Sequence, residues 1–273
     1  MKHMKQNYSY NEFGYSYRFK KLIFYLSTFS LKEILVLLWG RKKNKAKYLI
    51  LKPKQLAHPV KIRNIDNDVG VFAYVLWKKF HLPPKGYELS SDGIILDLGV
   101  NIGLSVAHYK TIYPENPIIG YEMDASNFEI AKHNTRHYKN VQLFNKAVWI
   151  KNIKVSYNKD SRFDSFSIDN EVTHKNVAFA QGLTIRDIIS QHSIDNIEFL
   201  KMDIEGAEKA IFNEHNKDWL KIVKSFNIEF HLEKDENLND YIKIFEGYKF
   251  KVWQNNQRSS CLTGIKLGIN EKA

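Results

Sequence analysis

The chain has 273 residues, 44% hydrophobic and 26% charged, enough apolar material for one sizeable core. Its single cysteine, Cys261, excludes an intrachain disulfide and a paired-cysteine zinc site, and it fits a reducing compartment. The formal charge of +11 is unevenly spread: residues 1–65 carry 15 Lys and Arg against Glu12 and Glu33, a net of +13, leaving −2 for the remainder, which speaks against a nucleic-acid groove around a central cleft.

Residues 19–47, FKKLIFYLSTFSLKEILVLLWGRKKNKAK, are apolar but interrupted by Lys32 and Glu33. A spanning helix needs about 20 predominantly apolar residues, and neither piece reaches that. Gly40-Arg41-Lys42-Lys43 stands where a secretory signal would have its small-residue cleavage site. The pattern predicts two short helices, the second capped by Ser30, between basic clusters at Arg18–Lys21 and Arg41–Lys47. Such a segment either packs on the main domain as a plain extension or, through residues 18–47, lies on an anionic membrane. Strands are expected at 47–53 and 58–66, then a helix over 69–81 that Pro83-Pro84 stops. Residues 1–90 thus form a basic N-terminal extension of helices and strands, and residues 91–273 the main domain.

From residue 94 short apolar runs alternate with amphipathic stretches. Strands are predicted at 94–98, 118–122, 141–144, 198–203, 225–230, 249–253 and 262–267, and helices at 103–112, 125–137, 184–191, 205–214 and 237–246. Alternation of this kind gives an α/β fold with a mostly parallel sheet covered on both faces. The polar stretch Gln254–Ser260 reads as a loop too short for a parallel crossover, so the last two strands form an antiparallel hairpin. Residues 153–182 read as a polar hairpin insertion.

The first core strand runs into Asp97-Leu98-Gly99-Val100-Asn101-Ile102-Gly103. Gly99 permits a tight turn and Gly103 a close approach of the following helix. The spacing D-x-G-x-N-x-G is neither a dinucleotide G-x-G-x-x-G nor a P-loop. Glu122, ending the second strand 19 positions after Gly103, suits the two hydroxyls of a ribose. Asp97 puts an anion where a pyrophosphate would be repelled and where the amino and sulfonium groups of S-adenosyl-L-methionine would not. The competing interpretation is a tight strand–helix turn that binds nothing.

ILDLGVNIGLSV, GYEMDASNFEIAKHN, NKAV, FLKMDIEGAEKAIF and NIEFH follow one another over residues 92–232 and together resemble the FkbM family of S-adenosylmethionine-dependent methyltransferases. The resemblance implies the Rossmann-like class I methyltransferase fold, a seven-stranded mostly parallel sheet with an antiparallel C-terminal hairpin. It implies S-adenosyl-L-methionine as cofactor and methyl transfer to oxygen, often on a sugar or natural product in a bacterial pathway. The acceptor is then a hydroxylated small molecule or glycan precursor, and the protein is expected in the cytoplasm or at the inner face of the membrane. Where most members have Pro after the second-strand Glu, this chain has Met123-Asp124. Asn145 and Ala147 stand where the adenine is flanked in this fold. The cofactor set is Asp97, Gly99, Asn101, Gly103, Glu122, Met123, Asn145, Ala147 and Asp203.

An alcohol acceptor loses its proton near the transition state, so a base within reach is useful. Asp203 ends the fourth strand, Glu205 and Glu208 follow, and Glu229 and His231, two apart, share one face of the fifth. Asp203 and Glu229 are expected as electrostatic anchors and His231 as the base. Their plain alternatives are a helix cap for Asp203 and a strand-end histidine satisfied by its own fold; Glu208 is read as a solvated helix residue. Asp203, Glu205, Glu229 and His231 also have the donor types of a Mg²⁺ or Mn²⁺ site, although no divalent metal is expected. Two alternatives stay open: a nucleic-acid methyltransferase, and a methyltransferase fold kept as a non-catalytic binding module.

Overall fold

The structure is a computed structural model describing residues 15–37, 47–158, 168–169, 177–233, 236–255 and 258–268. Strand β3 (Ile95–Leu98) is buried along its whole length, so its sequence reads as a continuous run rather than an alternating one. The same holds for β4 (Ile118–Tyr121), β10 (Phe199–Met202) and β11 (Ser225–Glu229). With β5 (Val141–Phe144), β12 (Phe250–Asn255) and β13 (Arg258–Lys266) they form a seven-stranded sheet in the order β12-β13-β11-β10-β3-β4-β5. The pairs β5–β4, β4–β3, β3–β10 and β10–β11 are parallel; β13 runs antiparallel to both β11 and β12. The chain goes outward from β3 through β4 to β5, then crosses to β10 on the opposite side. Strand order therefore reverses between β3 and β10, where ligands bind in open α/β sheets. This is the fold expected from the sequence.

Three elements differ from expectation. Gln254–Ser260 is mostly strand: β12 continues to Asn255 and β13 starts at Arg258. The helix expected over 69–81 starts earlier, as α3 (Asp66–Phe72), and continues as a π-helical turn over Ala73–Lys78 that Lys79 ends with φ 57°. The insertion holds more strand than one hairpin. Strands β6 (Ala147–Val148), β7 (Lys154–Asn158), β8 (Ile168–Asp169) and β9 (Val177–Leu183) make a second sheet, ordered β6-β9-β7-β8. Residues 159–167 and 170–176 of that insertion lie outside the described residues, as do Arg41 to Ala46 of the second basic cluster.

The extension begins with α1 (Tyr15–Thr28) and α2 (Leu31–Leu35), and Ser30 caps α2 as predicted, in a reciprocal box with Glu33. Strands β1 (Tyr48–Leu51) and β2 (Val60–Arg63) pair antiparallel. Phe24, Phe29, Val60 and Phe72 share one apolar cluster with Ile102, Leu104 and Ala107 at the start of helix α4 (Leu104–Ile112) and with Ile130 of α5 (Ala125–Thr135). The extension thus covers the two helices that follow β3 and β4. Among the described residues, no helix is long and apolar enough to cross a membrane.

Candidate active site

The β3–α4 loop takes left-handed backbone at Gly99 (φ 93°), Asn101 (φ 53°) and Gly103 (φ 80°). Neighbouring backbone, not ligand, requires the glycines. A Cβ at Gly99 would stand 1.8 Å from the Asp203 carbonyl oxygen, and one at Gly103 2.9 Å from the Ala131 Cα in α5. Asn101 holds its own left-handed turn by accepting the Ile102 N–H on Oδ1 at 2.7 Å.

Two carboxylates brace this loop. Glu122 Oε2 accepts the Asn101 N–H at 2.7 Å and Oε1 the Asp124 N–H at 2.8 Å. Burial pushes its carboxyl up to about 7 against the pull of those bonds. Each oxygen keeps a lone pair for another donor, as a ribose hydroxyl would need. Asp97 differs from expectation. It is fully buried, accepts the Ser105 hydroxyl at 2.6 Å and is paired with Lys201 at 3.2 Å, so it supports the loop from beneath and is no exposed anion. Burial drives the Asp97 carboxyl upward; it pulls Lys201 down, but Asp97 and Asp203 outweigh that and keep the ammonium charged. Lys201 Nζ also donates to the Gly99 carbonyl at 2.5 Å.

Asn145 Nδ2 donates to the Glu122 and Met123 carbonyls at 2.8 and 2.9 Å, fixing the end of β4. Ala147 is buried in a small cluster against which Met123 packs. The N-terminus of α5 is tied to the extension, since Asp124 caps it and Arg63, bidentate on Asp68, reaches Asn127 Oδ1 at 2.8 Å.

Across β10 and β11 lies a cluster of four carboxylates and two cations. His231 Nε2 is 3.0 Å from Glu205 Oε2 and 3.9 Å from Asp203 Oδ1, and its Nδ1 is 3.4 Å from Glu208 Oε1. Burial alone would depress the imidazole, but Glu205 and Glu208 reverse that and push it up to about 12, an imidazolium in this state. Burial raises Glu205 to about 7, and raises Glu229 to about 7 with help from the Asp203 charge. Asp203 ends below the usual carboxylate range: burial lifts it, and Lys201, His231 and Arg258 together outweigh that. Glu229 Oε1 pairs with Arg258 at 2.5 Å and accepts the Ser260 hydroxyl at 3.1 Å. The Arg258 guanidinium lies 5.0 Å from the Tyr74 ring and 5.7 Å from Phe80.

All the catalytic candidates come together, and two plain alternatives fail. Helix α6 (Ala207–Asn213) has Gly206 at its N-cap with no side-chain cap, so Asp203 does not cap it. Glu208, read as solvated, is fully buried and accepts the Ile204 and Gly206 N–H groups at 2.7 and 2.8 Å. Asp203, Glu205 and His231 offer ligand atoms within 4.8 Å of one another; Glu229 stands outside that group. Two carboxylates and an imidazole suit a hard or borderline divalent cation, provided His231 gives up the proton it shares with Glu205.

Lys201, Arg258 and Tyr74 were not singled out in the sequence. Lys201 could have been, because it lies two residues before Asp203 on the same strand face. A surface groove of about 460 Å³ between β1–β2 and α5, lined by Tyr48, Lys61, Ser126 and Glu129, contains none of these residues.

The family model for the methyltransferase FkbM domain matches residues 96–252, more than half of the chain. No curated protein sequence matches it. Among solved structures, the precorrin-6y C5,15-methyltransferase from Geobacter metallireducens is 11% identical, with 74% of this chain and 90% of that one covered at a TM-score of 0.39. An rRNA methylase from Streptococcus thermophilus is 9% identical over 66% and 89%, at 0.38. Fibrillarin from Aeropyrum pernix, with natively bound S-adenosyl-L-methionine, is 11% identical over 64% and 66%, at 0.35. Likeness of this degree adds no argument to the strand order and loop geometry above.

Proposed function

The chain belongs to the FkbM family of S-adenosylmethionine-dependent methyltransferases, and from that premise we propose that it methylates a hydroxyl of a saccharide or glycan precursor. One observation carries the reading: a carboxylate–imidazole pair at the ends of β10 and β11 stands back to back with the β3–α4 loop, through the Gly99–Asp203 contact. An oxygen acceptor needs a place for its proton, and Glu205 with His231 supplies one.

The residues present fit the cofactor. Glu122 would take the ribose hydroxyls on its remaining lone pairs, with Met123, Asn145 and Ala147 beside the base. The loop Gly99 to Gly103 would follow the methionine portion, held in shape by Asn101 and, from beneath, by Asp97 and Lys201. When bound, S-adenosyl-L-methionine supplies an electrophilic methyl on a sulfonium centre. The surplus of negative charge among Asp203, Glu205, Glu208 and Glu229 over His231 and Arg258 favours a cationic ligand beside it.

We assign the base to the Glu205–His231 pair rather than to His231 alone. An imidazolium held by two carboxylates has no free lone pair for a proton, whereas a carboxyl near 7 is both ionised and basic at neutral pH. Glu205 Oε2 receives the hydroxyl proton, and His231, 3.0 Å away, holds that oxygen in place. Asp203 and Glu229 act as electrostatic anchors, and Arg258 keeps Glu229 in position. In-line transfer then depends on alignment of the acceptor oxygen with the methyl, which a rigid cluster favours.

The test is calorimetric titration with S-adenosyl-L-methionine, with and without Mg²⁺, followed by transfer of labelled methyl to free sugars, sugar nucleotides and lipid-linked sugars. Micromolar cofactor binding and label in a sugar fraction support the reading. Cofactor binding with label only in added RNA, or no cofactor binding, refutes it.

A further inference from the structure

Helix α1 is amphipathic with its apolar stripe outward. Phe19, Leu22, Ile23 and Leu26 recur at i, i+3, i+4 and i+7, the spacing that ordinarily buries a stripe against a core. Here these four are 47–64% exposed, and the helix meets the domain through Phe24 and Thr28 instead. In α2, Leu31 and Leu35, one turn apart, are 73% and 50% exposed while Ile34 turns inward. Single exposed apolar residues are ordinary; six on two consecutive helices make a patch.

The charge around the patch is predominantly positive. Lys20, Lys21, Lys32, Lys52 and Lys54 are all exposed, and Lys54 Nζ donates to the Leu26 carbonyl at 3.2 Å, which holds it beside the stripe. The neighbouring acid, Glu33, is engaged by the Ser30 hydroxyl at 2.7 Å and the Lys52 backbone N–H at 2.5 Å. Its carboxyl lies below the ordinary value: partial burial lifts it, and those bonds outweigh the lift.

We propose that this face docks on an anionic lipid bilayer, with the six apolar side chains entering the boundary between headgroups and acyl chains and the lysines meeting lipid phosphates. Charge complementarity selects that occupant. Among the described residues the face carries Lys20, Lys21, Lys32, Lys52 and Lys54 against Glu33, so a second copy of the face would bring like charge against like, whereas anionic headgroups neutralise it. Attachment is peripheral and lies along the surface. The docking helix is also joined to the candidate active site. Phe24 stacks on Trp77 with ring centroids 5.5 Å apart, Trp77 lies on the π-helical turn with Tyr74, and Tyr74 flanks the Arg258 that holds Glu229.

The proposal does not depend on the acceptor, and its test does not involve methyl transfer. Full-length protein is co-sedimented with vesicles of phosphatidylcholine, and with vesicles in which a third of that lipid is replaced by phosphatidylglycerol. Binding to the anionic vesicles alone, weakening with salt, is the expected result. Lys20→Gln with Lys21→Gln should lower that partition about thirty-fold. Leu22→Ser with Leu26→Ser should lower it about ten-fold or more. Both pairs are exposed, so thermal unfolding and cofactor titration should match the parent protein and exclude misfolding as the cause. No partition at low salt, or partition unchanged in both double variants, overturns the proposal. So does a dimer in sedimentation velocity that Leu22→Ser with Leu26→Ser dissociates, because the face would then belong to a second copy.

Discussion

Two glycines with similar backbone angles separate the two reasons for a bare backbone in this site. Gly99 and Gly206 sit at φ 93° and 102°, so alanine at either carries the left-handed penalty of about 1–2 kcal/mol. At Gly206 a Cβ meets nothing within 4 Å, and the penalty ends there. At Gly99 the Cβ lands 1.8 Å from the Asp203 carbonyl oxygen, which is 1.2 Å short of the 3.0 Å below which real Cβ atoms are essentially not found. The obstacle is backbone, so β3 and β10 must part. That strains the Asp203 N–H to Leu98 carbonyl bond at 2.9 Å and the Lys201 bond to the Gly99 carbonyl at 2.5 Å. A buried hydrogen-bonding group left unpaired costs about 1–3 kcal/mol, so Gly99→Ala should lose about 3–8 kcal/mol in all. Urea denaturation of the two variants beside the parent protein measures the difference directly, and cofactor titration of Gly99→Ala should show binding lost. A Gly99→Ala protein within 1 kcal/mol of Gly206→Ala would refute the argument that strand contact, rather than dihedral angle, fixes this residue.

Three further outcomes follow from the site and its supports. Glu122→Ala should abolish or strongly weaken cofactor binding in calorimetry, because it removes the acceptors proposed for the ribose and frees the Asn101 and Asp124 N–H groups. The rate of methyl transfer should rise with pH through about 7 as the Glu205–His231 pair gives up its proton, and Glu205→Gln should remove that limb from the pH–rate profile. His81 and His108 are buried 2.9 Å apart; burial lowers both, His108 to about 4 against an ordinary 6.5. Between those pH values the unfolded chain binds protons that the folded chain refuses, so stability rises with pH there and falls on acidification. His108 alone accounts for about 3 kcal/mol lost by pH 4, and His108→Gln should flatten the slope of urea stability against pH.

Much of the fold was legible because the sheet is parallel and buried on both faces. Runs such as Ile94–Leu98 and Phe199–Met202 stand out against the helices between them, and the short link after β12 fixed the antiparallel hairpin. The loop glycines and Glu122 could be read from spacing because the reversal of strand order leaves one place for them. What stayed hidden depended on partners far away in sequence. The role of Lys201 is set by a carbonyl 102 residues distant, and that of Arg258 by Glu229 and by rings from the extension. Glu208 looked like a solvated helix residue because nothing local shows that it faces two backbone N–H groups and an imidazole. The second sheet was legible only as a hairpin, because β6 joins it from outside the insertion by pairing with Gly182 and Leu183. In α1 the helical period was plain, but periodicity shows that a stripe exists, not which way it faces.

The stack of Phe24 on Trp77 gives the proposed docking a thermodynamic consequence. It joins the buried side of α1 to the π-helical turn that carries Tyr74, and Tyr74 flanks the guanidinium paired with Glu229. If the proposed adsorption outside and ligand uptake inside both bias these contacts, the two events are linked. Whatever free energy the first lends to the second is returned in full when the order is exchanged. An occupied catalytic cleft would then alter the affinity of the outer face by the same factor by which a surface alters the affinity of the cleft.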